Sequence, residues 1–186
     1  MTDSTHDASL SETAGQSDGL SHRTAVYTGS FDPITSGHLH IIQRASKMFE
    51  SLTVGIGINA DKRPMFDINE RVDLVSMVTR DLPNVSVKTF DTLAVDFVRS
   101  LGAGVMVRGI RPLTDIAGEF TMLMANRQLD PAIETVFLMA DERFAHVSSS
   151  LLKQIAMISD DDAHLAKFVP REIITAIRQK MRNDGA

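Results

Sequence analysis

Five short apolar runs, each followed by a helical pattern, constrain the fold of this chain more than any other feature. The runs are rich in Val and Ile, lack strict alternation, and lie at 24–28, 52–58, 85–90, 105–107 and 135–139. Such runs are typical of parallel strands buried on both faces of a sheet. Because parallel strands need crossover helices, the sequence predicts an α/β fold: a doubly wound, five-stranded parallel sheet with helices on both faces.

The helical patterns have recognisable starts. Apolar positions recur at helical intervals from His38 to residue 49, and Asp67 with Glu70 resembles a capping box. Further helices are predicted at 93–101, 113–128 and 149–157, and Pro170 suits the first position of a terminal helix. Ligands of such sheets bind outside the carboxyl ends of the strands, so the residues just after each strand are the candidates for function.

Residues 1–22 differ in composition from the rest of the chain. They are rich in Ser, Thr, Asp and Gly and hold four acidic side chains without a Lys or Arg. A signal peptide needs a basic start and an apolar stretch, and a transit peptide needs arginine. We therefore expect a disordered acidic tail at 1–22 and one domain at 23–186.

Charge and cysteine content exclude several classes of function. The chain has 19 Lys and Arg against 24 Asp and Glu, and it is nearly neutral without the four acids of the tail. Broad nucleic-acid binding is therefore not expected. Zero cysteines exclude disulfides and thiolate-bound zinc and fit a cytoplasmic protein. No apolar run approaches the length of a membrane span, so no membrane partner is expected.

The segment from Tyr27 to His38 joins the first predicted strand to the first helix. Its sequence is Tyr-Thr-Gly-Ser-Phe-Asp-Pro-Ile-Thr-Ser-Gly-His, in which a glycine turn leads into a helix start. Unpaired backbone N–H groups at a helix start favour anions. Ser30, Gly37 and His38 add a hydroxyl, backbone access and an imidazole, so the segment predicts a site for a phosphate chain. It is neither a Walker loop nor the G-x-G-x-x-G dinucleotide fingerprint.

Cationic and hydroxyl side chains follow the other strands. Lys62 and Arg63 follow the second, Arg108 and Arg111 end the fourth, and serines 148–150 follow the fifth. Since the carboxyl ends of parallel strands meet at one edge, we expect these groups to converge on a polyphosphate. Taken singly, each has a plainer interpretation, namely a solvated loop, a turn with structural ion pairs, or a helix cap.

Together these residues resemble the phosphopantetheine adenylyltransferases, bacterial-type enzymes of coenzyme A biosynthesis in the nucleotidyltransferase superfamily. The resemblance covers about residues 24–183. It rests on these motifs: Gly29-Ser-Phe-Asp-Pro-Ile-Thr-Ser-Gly-His38, Lys62-Arg-Pro-Met-Phe66, Val107-Arg-Gly-Ile-Arg111, Glu119 with Asn126-Arg127, and Val147-Ser-Ser-Ser-x-x-Lys153.

The resemblance implies transfer of the adenylyl group of ATP to 4′-phosphopantetheine, giving dephospho-coenzyme A and pyrophosphate. It implies a homohexamer that also binds dephospho-coenzyme A or coenzyme A. The implied catalytic residues are Ser30, His38, Lys62 and Arg108. The implied ATP contacts are Ser30, Phe31, His38, Gly109, Arg111, Glu119, Ser148, Ser149 and Ser150. The implied contacts of the acceptor are Ser30, Lys62, Leu93, Ala94, Arg108, Leu123 and Asn126.

Three positions depart from the pattern of the family. Ser30 replaces a common threonine and keeps the hydroxyl, Gly118 stands where an aromatic residue often precedes Glu119, and Phe144 stands where Trp or Tyr is common. The last two changes affect the expected details of nucleotide and coenzyme contacts rather than the reaction.

The implied nucleophile is a phosphate monoester whose second pKa is about 6, so it needs no general base. Positioning and charge neutralisation would then supply the catalysis. Mg²⁺ is expected from this chemistry and would be carried mainly by ATP, because the sequence shows no carboxylate cage and residues 160–162 are predicted to form a solvated turn.

Two alternatives remain at this point. One is another nucleotidyltransferase, acting on nicotinate mononucleotide or glycerol phosphate; Lys62, Arg108 and Asn126 favour pantetheine over these acceptors. The other is a nucleotide-binding regulatory module without turnover. The presence of His38 together with Lys62 and Arg108 favours an enzyme, because a sensor does not need to hold a nucleophile in line.

Overall fold

The computed structural model describes residues 19–58, 64–111 and 116–184. Strands and helices alternate from residue 21 to residue 139, and a short 3₁₀ helix at Glu142–Phe144 then leads into three further helices. The strands are β1 (Ser21–Gly29), β2 (Ser51–Gly57), β3 (Val85–Phe90), β4 (Ala103–Ile110) and β5 (Glu134–Met139). The helices are α1 (Ser36–Ala45), α2 (Ile68–Thr79), α3 (Ala94–Ser100), α4 (Ile116–Leu129), α5 (Ser149–Ile158), α6 (Asp162–Leu165) and α7 (Arg171–Asp184).

The five strands form one parallel sheet in the order β3-β2-β1-β4-β5. The chain first winds outward from β1 to β3 and then returns to place β4 on the other side of β1. The strand order therefore reverses between β1 and β4, which is where open α/β sheets bind their ligands. This topology confirms the predicted doubly wound sheet.

The two faces of the sheet carry separate apolar cores. Ala25 and Tyr27 of β1 belong to the core that packs against α1, α2, α5, α6 and α7. Val26, between them, belongs to a smaller core with α3 and with Met106 of β4. Side chains of a strand alternate between faces, so neighbouring residues of β1 and β4 point into different layers. The predicted helices on both faces are confirmed.

Burial on both faces holds for the central strands but not for the edges. Residues 52–56 of β2 are all buried, whereas β3 alternates between exposed and partly buried positions. The prediction of uniform burial is wrong there because an edge strand has a neighbour on only one side.

The first strand overlaps the segment that the sequence predicts as a tail at 1–22. β1 begins at Ser21, whose N–H donates to the carbonyl of Gly102 at 2.8 Å, and Leu20 packs against the smaller core. Residues 1–18, which include the rest of the predicted tail, lie outside the described residues. The described structure thus starts at residue 19, four residues before the predicted start of the domain.

Several element ends also differ from the prediction. β4 runs to Ile110 rather than ending at 107, because the polar Arg108 still pairs in the ladder with Phe137 of β5. α1 ends at Ala45, and the Asn84 amide binds the carbonyls of Ser46 and Phe49 at 2.7 and 3.0 Å in place of a continued helix.

Two helix starts add detail. The Asp67 and Glu70 capping box is confirmed, with Asp67 accepting from Asn69 and Glu70 N–H groups and Glu70 accepting from the Asp67 N–H at 2.7 Å. Residues 160–162 are exposed as predicted, but Asp161 caps the one-turn helix α6 instead of lying in a plain turn. The terminal helix is assigned from Arg171, directly after Pro170.

No helix in the described part of the chain is both long and apolar enough to cross a membrane.

Candidate active site

A cavity of about 510 Å³ lies at the carboxyl edge of the sheet, where β1 and β4 meet. It is lined by the end of β1 and the turn after it, the start of α1, the end of β4, Glu119 of α4, Phe144, and the start of α5. All the residues expected to contact ATP line this cavity: Ser30, Phe31, His38, Gly109, Arg111, Glu119, Ser148, Ser149 and Ser150. The structure thus brings together groups that lie up to 120 residues apart in sequence.

Two helices begin at this cavity. Thr35 caps α1 and Ser148 caps α5, each accepting a backbone N–H of its own first turn at 3.3 and 3.1 Å. The Ser149 hydroxyl is engaged within the protein, since it donates to the carbonyl of Pro33 at 2.9 Å, whereas Ser150 is exposed. Two helix N-termini that open on one cavity favour a ligand with several negative charges.

His38 is held in one orientation beside this cavity. The Thr35 N–H donates to His38 Nδ1 at 3.1 Å, and the imidazole meets the Phe31 ring edge-on at a centroid distance of 5.2 Å. Burial, and then the positive charge of Arg111, lower the pKa of His38 to about 4. The imidazole is therefore neutral at pH 7, with its proton on Nε2 because Nδ1 accepts a hydrogen bond.

The turn between β1 and α1 has an unusual backbone. Phe31 is buried and has a φ of 46°, in the left-handed region that side chains rarely adopt. A Cβ on Gly29 would lie only 3.0 Å from the Phe31 ring. Glycine at position 29 therefore lets the ring fold back under the turn and contact both Tyr27 and His38.

Asp32 joins this turn to two other parts of the chain. Its buried carboxylate accepts from the N–H groups of Met65 and Phe66, both at 2.9 Å, and forms an ion pair with Lys153 of α5. Sequence reasoning gave Asp32 no role. The signal was present, because Phe66 and Lys153 end two of the motifs, but nothing in the local pattern shows that they meet at one carboxylate.

Arg71 of α2 is a second residue that sequence reasoning missed. Its buried guanidinium donates to the carbonyls of Ser30, Gly57 and Asp67 at 3.0, 3.4 and 3.4 Å. It thereby ties the ends of β1 and β2 to the start of α2. An arginine within an amphipathic helix gives no sequence signal of this role.

Arg108 and Glu119 form a bidentate ion pair. Arg108 Nε and Nη2 each donate to a Glu119 oxygen at 2.7 Å, while Nη1 donates to the carbonyl and the hydroxyl of Thr28 at 3.0 and 3.1 Å. Burial opposes the charge of Arg108, but Glu119 outweighs it and raises the pKa of the guanidinium. Two residues expected at different substrates are therefore bonded to each other.

The residues expected at the acceptor are only partly brought together. Ser30 and Arg108 line the cavity. Leu93 and Ala94 at the start of α3, with Leu123 and Asn126 of α4, do not line it and lie on the other face of the sheet. Asn126 is buried and donates to the sulfur of Met106 at 3.6 Å, while Leu93 is more than half exposed. Lys62 lies in 59–63, outside the described residues.

Two of the three departures from the family pattern, Gly118 and Phe144, have different surroundings. A Cβ on Gly118 would meet no atom of the described residues within 4 Å, so there is open space beside Glu119. Phe144 packs on His40 at a centroid distance of 5.2 Å and lies under the Arg143 guanidinium at 5.3 Å.

Comparison with known proteins gives a consistent result. Residues 26–155 match the family model described as cytidylyltransferase-like. A phosphopantetheine adenylyltransferase from Rhodopirellula baltica is 76% identical over 163 residues, which cover 88% of this chain and 91% of that protein. One from Clostridium tetani is 45% identical over 159 residues, covering 86% of this chain and 98% of that protein.

Solved structures show the same fold at low sequence identity. The Plasmodium falciparum nicotinic acid mononucleotide adenylyltransferase complexed with NaAD has a TM-score of 0.65 at 14% identity, covering 84% of this chain and 94% of that chain. A bifunctional NMN adenylyltransferase/ADP ribose pyrophosphatase from Francisella tularensis has a TM-score of 0.60 at 15% identity, covering 87% of this chain and 53% of that chain. These likenesses extend to the fold alone.

Proposed function

The chain belongs to the phosphopantetheine adenylyltransferase family, and on this premise we propose that it transfers the adenylyl group of ATP to 4′-phosphopantetheine. The products are dephospho-coenzyme A and pyrophosphate. The observation that carries the proposal is the convergence of nine expected nucleotide contacts on one cavity at the β1–β4 switch point. The cavity suits a triphosphate because two helix N-termini and Arg111 border it.

In the proposed reaction, a phosphate oxygen of 4′-phosphopantetheine attacks the α-phosphorus of ATP. The new O–P bond forms as the bond from the α-phosphorus to the β-phosphate oxygen breaks, and pyrophosphate leaves with the electron pair. The acceptor phosphate is largely dianionic at pH 7, so no protein group has to remove a proton. What the protein must supply is alignment and neutralisation of like charges.

We assign the neutral His38 imidazole to the α-phosphate. Its Nε2–H is a fixed donor because Nδ1 is occupied by the Thr35 N–H. A neutral donor that is already oriented can stabilise charge that develops on the phosphate oxygens without reorganising during the step. The low pKa of His38, about 4, keeps it in this donor form at all pH values near neutrality.

We assign Ser30, Lys62 and Arg108 to the acceptor phosphate. Arg108 is a cation that lines the cavity, and its guanidinium is held there by Thr28. Its Nε and Nη2 atoms donate to Glu119. A phosphate that binds these two atoms of Arg108 shares them with Glu119 or displaces it. The Glu119 carboxylate thus occupies the position that we propose for the negative charge of the substrate. Leu93, Ala94, Leu123 and Asn126 would receive the pantetheine arm on the α3–α4 face.

The proposal includes Mg²⁺ carried by the triphosphate rather than held by a protein cage. Among the residues that the structure describes, no group of three or more His, Asp or Glu side chains is placed to hold a metal ion. Mg²⁺ commonly arrives with substrate phosphates and few protein ligands, which fits this arrangement.

We further propose a cytoplasmic homohexamer that also binds its product or coenzyme A. The assembly is supported by α4, on which four large apolar side chains are each more than half exposed: Phe120, Met122, Met124 and Leu129. A single helix that exposes this much apolar surface is suited to burial against other copies of the chain. The zero cysteine count fits a cytoplasmic location.

The test is a pyrophosphate-release assay with ATP, Mg²⁺ and a panel of acceptors. We expect turnover with 4′-phosphopantetheine and little release with nicotinate mononucleotide, glycerol 3-phosphate or dephosphorylated pantetheine. Faster release with either rival phosphate would identify another nucleotidyltransferase. ATP binding without release for any acceptor would identify a regulatory module and overturn the proposal.

A further inference from the structure

Tyr27 places its hydroxyl at the wall of the cavity, where no described residue bonds to it. The residue is 5% exposed and lines the cavity. Its ring is fixed edge-on against Phe31 at a centroid distance of 5.3 Å. Its hydroxyl forms no hydrogen bond with the described residues and is accessible from the cavity. Burial raises the pKa of this phenol well above its ordinary value, so the hydroxyl keeps its proton.

A phenylalanine would satisfy the packing at this position. The chain already uses buried Phe31 and Phe66 in the same core. A phenol hydroxyl can both donate and accept, and one that no protein group bonds at a cavity wall is open to water or to a ligand. The hydroxyl of Tyr27 is therefore available to a ligand that enters the cavity.

Gly109 leaves this hydroxyl uncovered. A Cβ at position 109 would lie 3.1 Å from Tyr27 Oη and 3.1 Å from Ile41 Cγ1. Gly109 is not required for a left-handed backbone, since it is not among the glycines with positive φ. Its lack of a side chain instead opens a path from the cavity to the phenol.

The position of the Tyr27 hydroxyl favours contact with the adenylyl group of ATP over contact with its terminal phosphates. Tyr27 belongs to the core beneath α1, the same side of the sheet on which α1 carries His38. It pairs with Val107, and its hydroxyl reaches Gly109, two residues closer to the carboxyl edge. The terminal phosphates suit the helix N-termini and Arg111, which supply cationic or N–H groups. A neutral phenol suits a ribose hydroxyl, a base nitrogen or an α-phosphate oxygen, all of which belong to the adenylyl group.

We propose that the Tyr27 hydroxyl is a nucleotide-binding group that forms a hydrogen bond with the adenylyl portion of ATP and of the product, through the opening left by Gly109. This inference rests on the proposed function, because it assigns ATP to the cavity. It makes Tyr27 a contact of the transferred group rather than of the acceptor or of the leaving pyrophosphate.

The test is Tyr27→Phe, with affinities measured by calorimetry. The loss of one hydrogen bond should weaken ATP and dephospho-coenzyme A by about 5- to 10-fold. The affinities for 4′-phosphopantetheine and tripolyphosphate, which lack the adenylyl group, should change less than about 2-fold. The melting temperature of the ligand-free variant should not fall, because no bond within the protein is lost.

Thr53→Val is the matched control. Thr53 is a buried β2 residue whose hydroxyl bonds to Ser86 Oγ at 3.1 Å. Its loss should lower the melting temperature and leave both nucleotide affinities unchanged. If the unmutated protein turns over normally and Tyr27→Phe binds ATP and dephospho-coenzyme A with unchanged affinity, the assignment of Tyr27 is wrong and the proposed function stands. Lack of turnover in the unmutated protein would overturn the proposed function.

Discussion

Individual residues of this site are held in place before a substrate arrives. Arg108 is fixed by two atoms of Thr28 and by both oxygens of Glu119, and the tautomer of His38 is fixed by the Thr35 N–H. Pre-organised donors lose little freedom when they meet a transition state, which is why they lower a barrier. In return, the orientation and the protonation state of each group depend on a protein partner that the fold supplies.

The pKa of His38 predicts the pH dependence of the reaction. The acid limb of kcat/KM should fall near pH 6, the second ionisation of the acceptor phosphate, because His38 with a pKa of about 4 titrates well below that range. The limb should move to lower pH with an acceptor analogue whose phosphate pKa is reduced by a neighbouring electron-withdrawing group. A limb that stays in place with the analogue would show that a protein group controls the step.

The lowered pKa of His38 also predicts that the folded protein loses stability in acid. The unfolded chain binds a proton on His38 below about pH 6.5, whereas the folded protein does so only near pH 4. The free energy of unfolding contributed by this group is therefore fully present above pH 6.5 and declines by about 1 kcal/mol per pH unit towards pH 4. His38→Asn should lack this part of the decline in urea titrations between pH 6.5 and 4. Identical slopes in the two proteins would contradict the assignment.

At the scale of elements, the β1–α1 turn is coupled to two distant segments through Asp32. The carboxylate bonds to the chain directly before α2 and to Lys153 on α5, the helix that carries the serines. The turn, the start of α5 and the segment that follows 59–63 are therefore aligned by one buried charge. A substitution that removes this charge weakens all of these contacts together.

Asp32→Asn should lower both stability and activity. We expect a loss of about 1–3 kcal/mol in the free energy of unfolding, from weakened bonds to a charged group. We also expect kcat/KM to fall by about 10-fold or more, because the groups around the phosphates lose their alignment. Urea unfolding and steady-state kinetics measure the two effects.

Asp130→Asn is the matched control for this prediction. Asp130 is as buried as Asp32, pairs with Arg99 through two bonds of 2.5 and 2.7 Å, and accepts from the Ala132 N–H. It lies on the α3–α4 side, away from the lining of the cavity. Its loss should lower stability by a similar amount with near-normal kcat/KM. Equal losses of activity in both variants would mean that Asp32 acts only through overall stability.

At the scale of the whole molecule, the sheet order decides where the chemistry lies. β1 and β4 are neighbours although 73 residues lie between the end of β1 and the start of β4, and each brings a motif to the same edge. The two faces then divide the groups, with His38 and Tyr27 on the α1 side and Arg108 with Glu119 on the α4 side. This division between the α1 side and the α4 side is consistent with a reaction in which two substrates meet at the edge of the sheet.

The boundary of the folded part gives a prediction for truncation. Deleting residues 2–18 should leave the melting temperature, oligomer size and turnover nearly unchanged, because the motifs and the sheet begin later. Deleting residues 2–22 should lower the melting temperature by a few degrees, since it removes Leu20 and the Ser21 bond to Gly102. Loss of assembly or activity in the shorter deletion would show that the first 18 residues are structural.

Much of this organisation follows from patterns along the chain. Strand composition predicts the parallel sheet, and the position of each motif after a strand predicts which side chains converge at one edge. The bonds of Asp32 and the pairing of Arg108 with Glu119 do not follow, because they depend on side chains from different elements that local spacing does not relate. The access of the Tyr27 hydroxyl to the cavity does not follow from the sequence either, since a tyrosine within an apolar strand is typical of a core position.

The most direct test of the central claim, that the adenylyl group is transferred at the cavity beside His38, is the rate of dephospho-coenzyme A formation by His38→Ala. We predict that kcat falls by about 10²-fold or more, the scale for one lost electrostatic donor, while the calorimetric affinity for ATP changes little. That result would show that His38 acts on charge that develops during transfer. A variant with near-normal kcat would contradict the claim and remove His38 from the reaction.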